Sequence, residues 1–439
     1  MKKILTSAGL VVLGAAGVQA AGYAPGYGST DNSKPWSVGL TLSGFYDSNP
    51  FTYPSGNPNI INSWGFEVSP FLSGAYSTDQ TQFGARYTFS MDYYLNYPEN
   101  KNQNSHLFNF FVNHRFSEKS ALTLSDNFAY ASEPEILGVA QGGSIAVPYR
   151  TVQDNFANTA TINFNQQLTE LVSLVLGYSN NYINYTQTPG DITQTDPLQP
   201  NYNPYGGGSL AALLNRIENY VSANFQYQVS GQTTGLVGFQ YGRIGYTGDG
   251  YLYAFSPDTD PSSVPVSSDR DSNNYYLYVG GTHAFSADLS LSLKVGAMDT
   301  VQFNSPNNYS QWAPYMDLSA NYRYSTKGSV TLGFTQSFAA TYVLANNSSS
   351  SMAYGTVNYN FTSKLSGSLL GRLNYNQFNG GVYDNEHYTY YALGLNMAYA
   401  FDRHFSFDAG YNLDYVGSES SAVWEYNRNR VYFGVTAKY

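Results

Sequence analysis

The sequence contains no cysteine, which excludes both a disulfide framework and a thiolate zinc site. Charge is scarce. Lys and Arg total 20 and Asp and Glu total 30 among 439 residues, so 11% are charged, against roughly 25% in a soluble globular chain. No basic stretch offsets the net charge of −10, which argues against nucleic-acid binding. Apolar runs of the length that a helical membrane protein needs, about 20 residues, are missing as well. Catalytic signatures are absent in the same way. The five histidines, His106, His114, His283, His387 and His404, show no H-E-x-x-H spacing, and there is no G-x-S-x-G elbow. Gly206-Gly207-Gly208 lacks the Lys-Ser/Thr of a phosphate cradle. His106 and His387, the latter beside Glu386, lie near strand ends where some barrel enzymes keep their sites, but an interfacial role is the expectation for both. Neither an enzyme, a cofactor nor a metal is expected.

What is abundant is the aromatic ring. The chain has 43 Tyr and 26 Phe, 17% aromatic residues in all, yet its mean hydropathy is −0.34. Disorder is excluded, because disordered chains are poor in rings and rich in charge.

Residues 1–20, MKKILTSAGLVVLGAAGVQA, carry Lys2 and Lys3, then an apolar stretch, then small residues at Val18 and Ala20. This is a bacterial secretory signal peptide pattern. Residues 21–34 are Gly/Ser/Pro-rich and are expected to be a flexible segment. From residue 35 to 439 one pattern persists: segments of about 10–15 residues that alternate apolar and polar with period two, as strands with one wet face do. Val431, Phe433, Val435, Ala437 and Tyr439 alternate with Tyr432, Gly434, Thr436 and Lys438. Segments 83–95, 312–324 and 405–415 repeat the pattern. In 234–246 the apolar parity shifts between Leu236 and Val237, which predicts a bulge.

Eight short connections begin with a small polar residue after an apolar one, at Tyr76-Ser77, Phe116-Ser117, Leu168-Thr169, Val229-Ser230, Phe285-Ser286, Tyr324-Ser325, Phe361-Thr362 and Phe401-Asp402. Nine longer polar connections lie between them, at about 48–62, 97–105, 132–153, 186–214, 247–272, 304–311, 343–351, 379–386 and 416–426. Together they predict eighteen strands. A soluble sandwich of that size would not alternate short and long loops so regularly. A membrane barrel would: its lipid-facing backbone must be fully bonded, so the sheet closes, and bacterial barrels have even strand numbers with short turns at one end and long loops at the other. The fold class is therefore all-β, a transmembrane antiparallel up-and-down barrel in the bacterial outer membrane. Trp36, Tyr76, Phe116, Phe285, Tyr324, Phe361, Phe401 and Tyr439 fall beside the short-turn end, and Trp64, Trp312 and Trp424 at or near the long-loop end, as interfacial girdles do.

Gly44-Phe45-Tyr46-Asp47-Ser48-Asn49-Pro50-Phe51 resembles the tyrosine, aspartate, aspartate, asparagine, apolar, phenylalanine opening of the β-barrel porin family 2, with Ser48 and Pro50 as departures. The terminal Tyr439, on an alternating strand, resembles the signal by which outer-membrane proteins engage the barrel assembly machinery. The resemblance implies a channel and leaves its cargo open.

About 16–18 strands leave an aqueous lumen, and no separate plug domain is present, so an open pore is the expectation. The wet parity names the lining: Glu67, Arg86, Lys294, Asp317, Arg372 and Asp408 near mid-height, Asp92, Arg216, Glu218, Asp414, Arg428 and Arg430 nearer the long-loop mouth, and Arg115 and Arg323 near the other. Charges of both signs tune selectivity. The third long loop has an uncharged middle, Ile136 to Val147, and either folds into the pore, as in general porins, or lies over the rim. Ser209 to Leu214 reads as one or two helical turns capping the mouth. Loop 247–272 is acidic at Asp249, Asp258, Asp260, Asp269 and Asp271, which favours cations at the entrance, and it lacks the Gly and Glu of a calcium loop. The expected function is passive diffusion of small hydrophilic solutes or ions, with outer-membrane lipid and the assembly machinery as partners and a homo-oligomer compatible with the sequence. The alternatives are a non-conducting structural or adhesive barrel, or the outer pore of a polysaccharide exporter.

Overall fold

Period-two alternation produces eighteen strands: β1 (Trp36–Asp47), β2 (Ser63–Ser77), β3 (Thr81–Tyr94), β4 (Asn102–Arg115), β5 (Ser120–Ala131), β6 (Asn155–Gln167), β7 (Val172–Tyr185), β8 (Arg216–Gln228), β9 (Thr233–Tyr246), β10 (Ser272–Ala284), β11 (Leu289–Gln302), β12 (Ser310–Ser325), β13 (Gly328–Ala339), β14 (Asn347–Asn360), β15 (Leu365–Asn379), β16 (His387–Ala400), β17 (Phe405–Ser418) and β18 (Tyr426–Lys438). The computed structural model describes residues 35–97, 102–132, 149–150, 154–186, 209–248, 250–252, 264–304 and 309–439. The expected signal peptide, the segment 21–34, the loop middle 136–147, Gly206–Gly208 and the acids Asp249, Asp258 and Asp260 lie outside the described residues.

Each strand pairs antiparallel with its sequence neighbours, and β1 pairs with both β2 and β18, so the sheet closes on itself. The closing seam runs from Gly39↔Lys438 to Asp47↔Arg430, and the last residue completes it: Tyr439 N–H donates to the Val38 carbonyl at 2.8 Å and the Val38 N–H donates to the Tyr439 carbonyl at 3.1 Å. Closure leaves no edge with unpaired backbone groups, which is the condition for a sheet in hydrocarbon.

The two faces of the wall divide by parity. On β1, Trp36, Val38, Leu40 and Leu42 are exposed outward, while Ser37, Thr41, Ser43, Phe45 and Asp47 are buried on the other face. The inward hydroxyls bond across strands, Ser37 to Ser73 at 2.7 Å and Thr41 to Thr436 at 2.8 Å. Ten of the eleven residues expected in the girdles, Trp36, Trp64, Tyr76, Phe116, Phe285, Trp312, Tyr324, Phe361, Phe401 and Tyr439, are exposed large side chains.

The predicted bulge at Leu236/Val237 is a correction. β9 keeps continuous register with β8 and β10 through both residues. Leu236 points inward and packs near Tyr276, Tyr278 and Met298, so its apolarity reflects an inward apolar cluster and not a parity change. The register irregularity lies instead on β12, between Tyr322 and Ser325.

The small polar residues of the short turns have a physical role. Thr169 Oγ1 accepts from the Leu171 and Val172 N–H groups, Ser286 Oγ from Asp288 and Leu289, and Thr362 Oγ1 from Lys364 and Leu365. Asp402 Oδ1 does the same for His404 and Phe405 at 2.7 and 2.9 Å. Such side-chain acceptors satisfy the turn's own N–H groups. In the first turn the acceptor is Thr78, one residue beyond Ser77.

The Asp402 carboxylate, in a turn outside the membrane, is held below its ordinary value by the His404 and Phe405 N–H groups. A depressed folded-state pKa contributes stability above the unfolded value of 3.8 that is lost as pH falls through the lower folded value. Protection of the Phe405 N–H from hydrogen exchange, relative to its intrinsic rate at each pH, is therefore expected to fall below about pH 4 in the native protein, and not in Asp402→Ser, whose hydroxyl keeps the turn without a titrating group. Ser286→Ala, which removes two accepted bonds, is expected to lower stability by about 1 kcal/mol in denaturant unfolding from lipid vesicles.

Candidate functional site

The inward face carries the charges, and they meet in local pairs. Asp47 and Arg428 form a two-pronged ion pair, Arg428 Nη2 at 2.7 Å and Nε at 3.0 Å from Asp47 Oδ2, with Asp47 fully buried. Arg430 Nη2 reaches Asp92 at 2.9 Å and Glu67 at 3.7 Å, bridging from β18 over β1 to β2 and β3. Its guanidinium lies 4.0 Å from the Phe45 ring, and that of Arg86 lies 4.3 Å from the Phe71 ring. Arg216 pairs with Glu218 at 2.5 Å and Lys294 with Asp317 at 3.3 Å. Asp414 accepts from the Tyr390 hydroxyl at 2.6 Å. Arg372 is buried on the same face, and Asp408 shares it, in register with Gly434 of β18. Arg323 differs: it lies exposed at the short-turn end, 4.0 Å from Asp288.

Glu67 and Asp92, predicted at different heights, are thus brought to one arginine. Asp47 was missed as a lumen residue, although its parity with Ser43 and Phe45 places it inward. It belongs to the segment that carries the family resemblance, and the structure gives that segment a physical role. Asp47 Oδ1 accepts from the Asn49 N–H at 3.2 Å, Ser48 Oγ accepts from the Asn429 N–H at 2.8 Å, and Asn49 Oδ1 accepts from the Tyr53 N–H at 3.0 Å. The Ser48 bond fastens the first long loop to β18, across the seam that closes the barrel, and the other two hold the loop's own turn. The loop then turns inward through Thr52, which is buried with φ at +52°.

The long-loop mouth is not the open ring expected from strand number. Helix α1 (Leu210–Leu214), N-capped by Ser209, is wholly buried. It packs in one apolar cluster with Tyr342 and Val343 of the connection after β13, Val423 of the connection after β17, and Tyr149. The same cluster includes Ile183 and Tyr185 on β7 and Tyr388 and Tyr390 on β16. Those strands lie nine apart in an eighteen-strand cylinder, so the cluster spans the barrel from one wall to the opposite one. Trp424, expected in the outer girdle, is folded into it: its ring stacks on Tyr149 at 3.9 Å and its Nε1–H donates to the Thr52 carbonyl at 2.8 Å. A Trp at a strand end can serve lipid or a folded loop equally, and only the loop's path decides.

Two arginines tie the loops together. Arg270 Nη1 donates to the Leu213 carbonyl at 2.7 Å and Nη2 to the Thr341 carbonyl at 3.0 Å. Its ring partner is Tyr246 at 4.9 Å, and burial lowers its pKa from the ordinary value, with Tyr246 opposing. Arg150 Nη1 donates to the Pro50 carbonyl at 2.9 Å and the Tyr94 hydroxyl at 3.1 Å. The described end of the third long loop, Tyr149–Arg150, therefore lies inside the mouth. Of the acidic loop 247–272, Asp269 and Asp271 are occupied by the backbone N–H groups of Val266 and Tyr246.

Removing one partner of a buried pair leaves the other uncompensated. Arg428→Leu is expected to cost about 3 kcal/mol or more in denaturant unfolding, and adding Asp47→Asn should recover much of that loss. Arg323→Ala, at an exposed pair, should change stability by less than about 1 kcal/mol.

Comparison with known proteins adds one family. Residues 258–439 match the family model described as "Putative beta-barrel porin 2". No curated protein matches the sequence. Solved structures of similar shape include OccAB4 of Acinetobacter baumannii, with 13% identity, 93% of this chain and 100% of that chain covered and a TM-score of 0.43. OpdK of Pseudomonas aeruginosa has 10% identity, 92% and 99% coverage and a TM-score of 0.40. A BenF-like porin of Pseudomonas fluorescens Pf-5 has 10% identity, 92% and 99% coverage and a TM-score of 0.42. The chain is a closed eighteen-strand antiparallel β-barrel whose residues 258–439 are similar to the family described as "Putative beta-barrel porin 2".

Proposed function

We propose that the barrel passes small hydrophilic solutes and ions passively down their gradients, through a lumen filtered by wall charges and narrowed at the outer mouth by inward loops. The observation that carries this reading is the placement of charge. In a chain only 11% charged, ion pairs such as Arg430 with Asp92 and Arg216 with Glu218 are buried on the inward face of a closed cylinder. Glu67, Arg86, Asp92, Arg216, Glu218, Lys294, Asp317, Arg323, Arg372, Asp408, Arg428 and Arg430 are the residues proposed to line the path. The family match and the fold favour a channel over an enzyme, and no catalytic role is proposed for His106, bonded to the Tyr87 hydroxyl at 2.8 Å, or His387, 3.4 Å from Glu419. Export through residues 1–20 and insertion by the barrel assembly machinery through the Tyr439 strand belong to the same reading.

A homo-oligomer is also part of it. Asn180, Asn219, Arg243 and Asn273 are register partners in one row across β7–β10, at the parity that elsewhere faces lipid. The row sets one charge, Arg243, and three amides on that face near the long-loop ends of the strands, and a second copy is the proposed cover. Because the chain has no cysteine, Asn219→Cys is a clean probe. It should form a disulfide-linked dimer in native membranes, whereas Leu413→Cys on the opposite arc should not.

The apolar cluster that crosses the mouth favours a second reading, a barrel that does not conduct. Single-channel recording in a planar bilayer separates the two. Long-lived ohmic steps from the native protein are expected. Gly248→Ala places a Cβ against the Ala211 backbone carbonyl and unseats α1, and Trp424→Ala removes the stack on Tyr149. Both variants should conduct more than the native protein. Inserted protein that stays silent in all three forms would sink the channel reading.

A further inference from the structure

A half-open cavity of about 110 Å³ lies between the wall of β7–β11 and the residues around 339–347. Register sets four polar side chains side by side on its β10–β11 wall. Ser272 stands opposite Gln302, and Asn274 opposite Thr300. All four are buried from bulk water and line the cavity. Opposed partners hold their Cβ atoms about 5 Å apart, and successive inward residues of one strand stand about 7 Å apart. One small molecule can therefore span the four.

Elsewhere on the inward face, opposed polar side chains satisfy each other, as Ser37 with Ser73 and Thr41 with Thr436 do. These four do not. Ser272, Asn274 and Thr300 make no side-chain hydrogen bond among the described residues. Gln302 donates its amide to the Asn346 carbonyl at 3.1 Å, which leaves its own carbonyl oxygen unused. Asn181 Oδ1 and Asn347 Nδ2, of two other lining residues, are sealed from water, whereas the polar atoms of these four are not. The charged lining residues are occupied: Arg216 pairs with Glu218, and Arg270 gives its terminal nitrogens to the Leu213 and Thr341 carbonyls. What is left for a solute to bond is a set of neutral hydroxyls and amides.

An aromatic ring stands in the same row. Tyr220, Gly242 and Asn274 are register partners across β8, β9 and β10. The Tyr220 ring lies over Gly242, where a Cβ would come within 2.3 Å of it. The missing side chain is what lets the ring lean along the wall on the side of Asn274. Tyr220 is half-buried and lines the cavity. A ring surface takes C–H groups, and a few placed polar groups fix the orientation of what it holds. A sugar ring carries both kinds of surface in one rigid, uncharged unit. In a half-open cavity of this size it can seat one edge and leave the other outside.

We propose that this cavity binds a neutral pyranose, its hydroxyls bonded to Asn274, Thr300 and Gln302 and its C–H groups against Tyr220. The proposal deepens the channel reading by naming a solute class, and rests on it only for how the sugar arrives. Methyl β-D-xylopyranoside is the probe, with xylitol as the analogue without a ring and glucuronate as the charged one.

Titration calorimetry on the folded full-length protein, in a detergent without a sugar headgroup, tests the proposal. Saturable binding of one xyloside is expected, with xylitol and glucuronate both weaker. Thr300→Val keeps the shape and removes one hydroxyl. It should weaken the xyloside about fivefold, as loss of one hydrogen bond implies, with the heat-modifiable folded band retained. Tyr220→Leu should narrow the preference for xyloside over xylitol. No saturable binding by folded native protein would overturn the proposal. So would equal binding of xyloside and xylitol, tighter binding of glucuronate, or Thr300→Val binding the xyloside as tightly as the native protein. Xyloside binding in a barrel that is silent in a bilayer would sink the channel reading alone. Conductance without xyloside binding would sink this proposal alone.

Discussion

A strand inside a bilayer cannot leave a backbone N–H or C=O unpaired, and the rest of this structure depends on that constraint. It forces the sheet to close, so β1 must meet β18. It makes the number of strands even when both chain ends lie on one side. It also divides every strand into a face that suits hydrocarbon and a face that does not. Once the lipid has taken the apolar face, the polar residues have nowhere to go but the lumen.

Inside the lumen a second constraint takes over. Charges withdrawn from bulk water are costly unless paired and hydrogen-bonded. The wall meets that cost locally: Arg428 grips Asp47, and Arg430 spans three neighbouring strands to reach Asp92 and Glu67. Fields from such close pairs fall off over short distances, so the potential that a solute meets comes mostly from groups without an ionic partner. Near the mouth Arg270 is one of these among the described residues, its terminal nitrogens bonded to carbonyls. The contacts that keep the loops folded inward therefore also set a positive charge at the mouth.

The barrel itself was legible in the sequence because period-two alternation reports directly on a wall with one wet face. The strand number, the alternation of short turns and long loops and the ring-bearing strand ends all follow from it. Alternation is silent once the chain leaves the sheet, and that is where reading stopped. Ser209 to Leu214 read as one or two helical turns, and Leu210 to Leu214 do form a helix, but its burial inside the mouth was not legible. Trp424 read as a girdle ring and stacks on Tyr149 inside. Leu236 read as a parity slip because the reading required every apolar side chain to face lipid, whereas the lumen has an apolar cluster of its own around Tyr276, Tyr278 and Met298. Asp47 stood in the segment that carried the family resemblance, yet its inward parity and its pairing with Arg428, far away in sequence, needed the closed seam to bring them together.

A hollow cylinder is stiff along its axis and soft against flattening. The apolar cluster joins β7 to β16, nine strands away and so on the far side of the circumference. A tie across the diameter resists ovalisation, as a spoke does in a wheel. Lateral pressure in the outer leaflet is then borne in part by the packing of Leu210, Tyr342 and Tyr388, and the roundness of the mouth is coupled mechanically to how tightly those side chains fit.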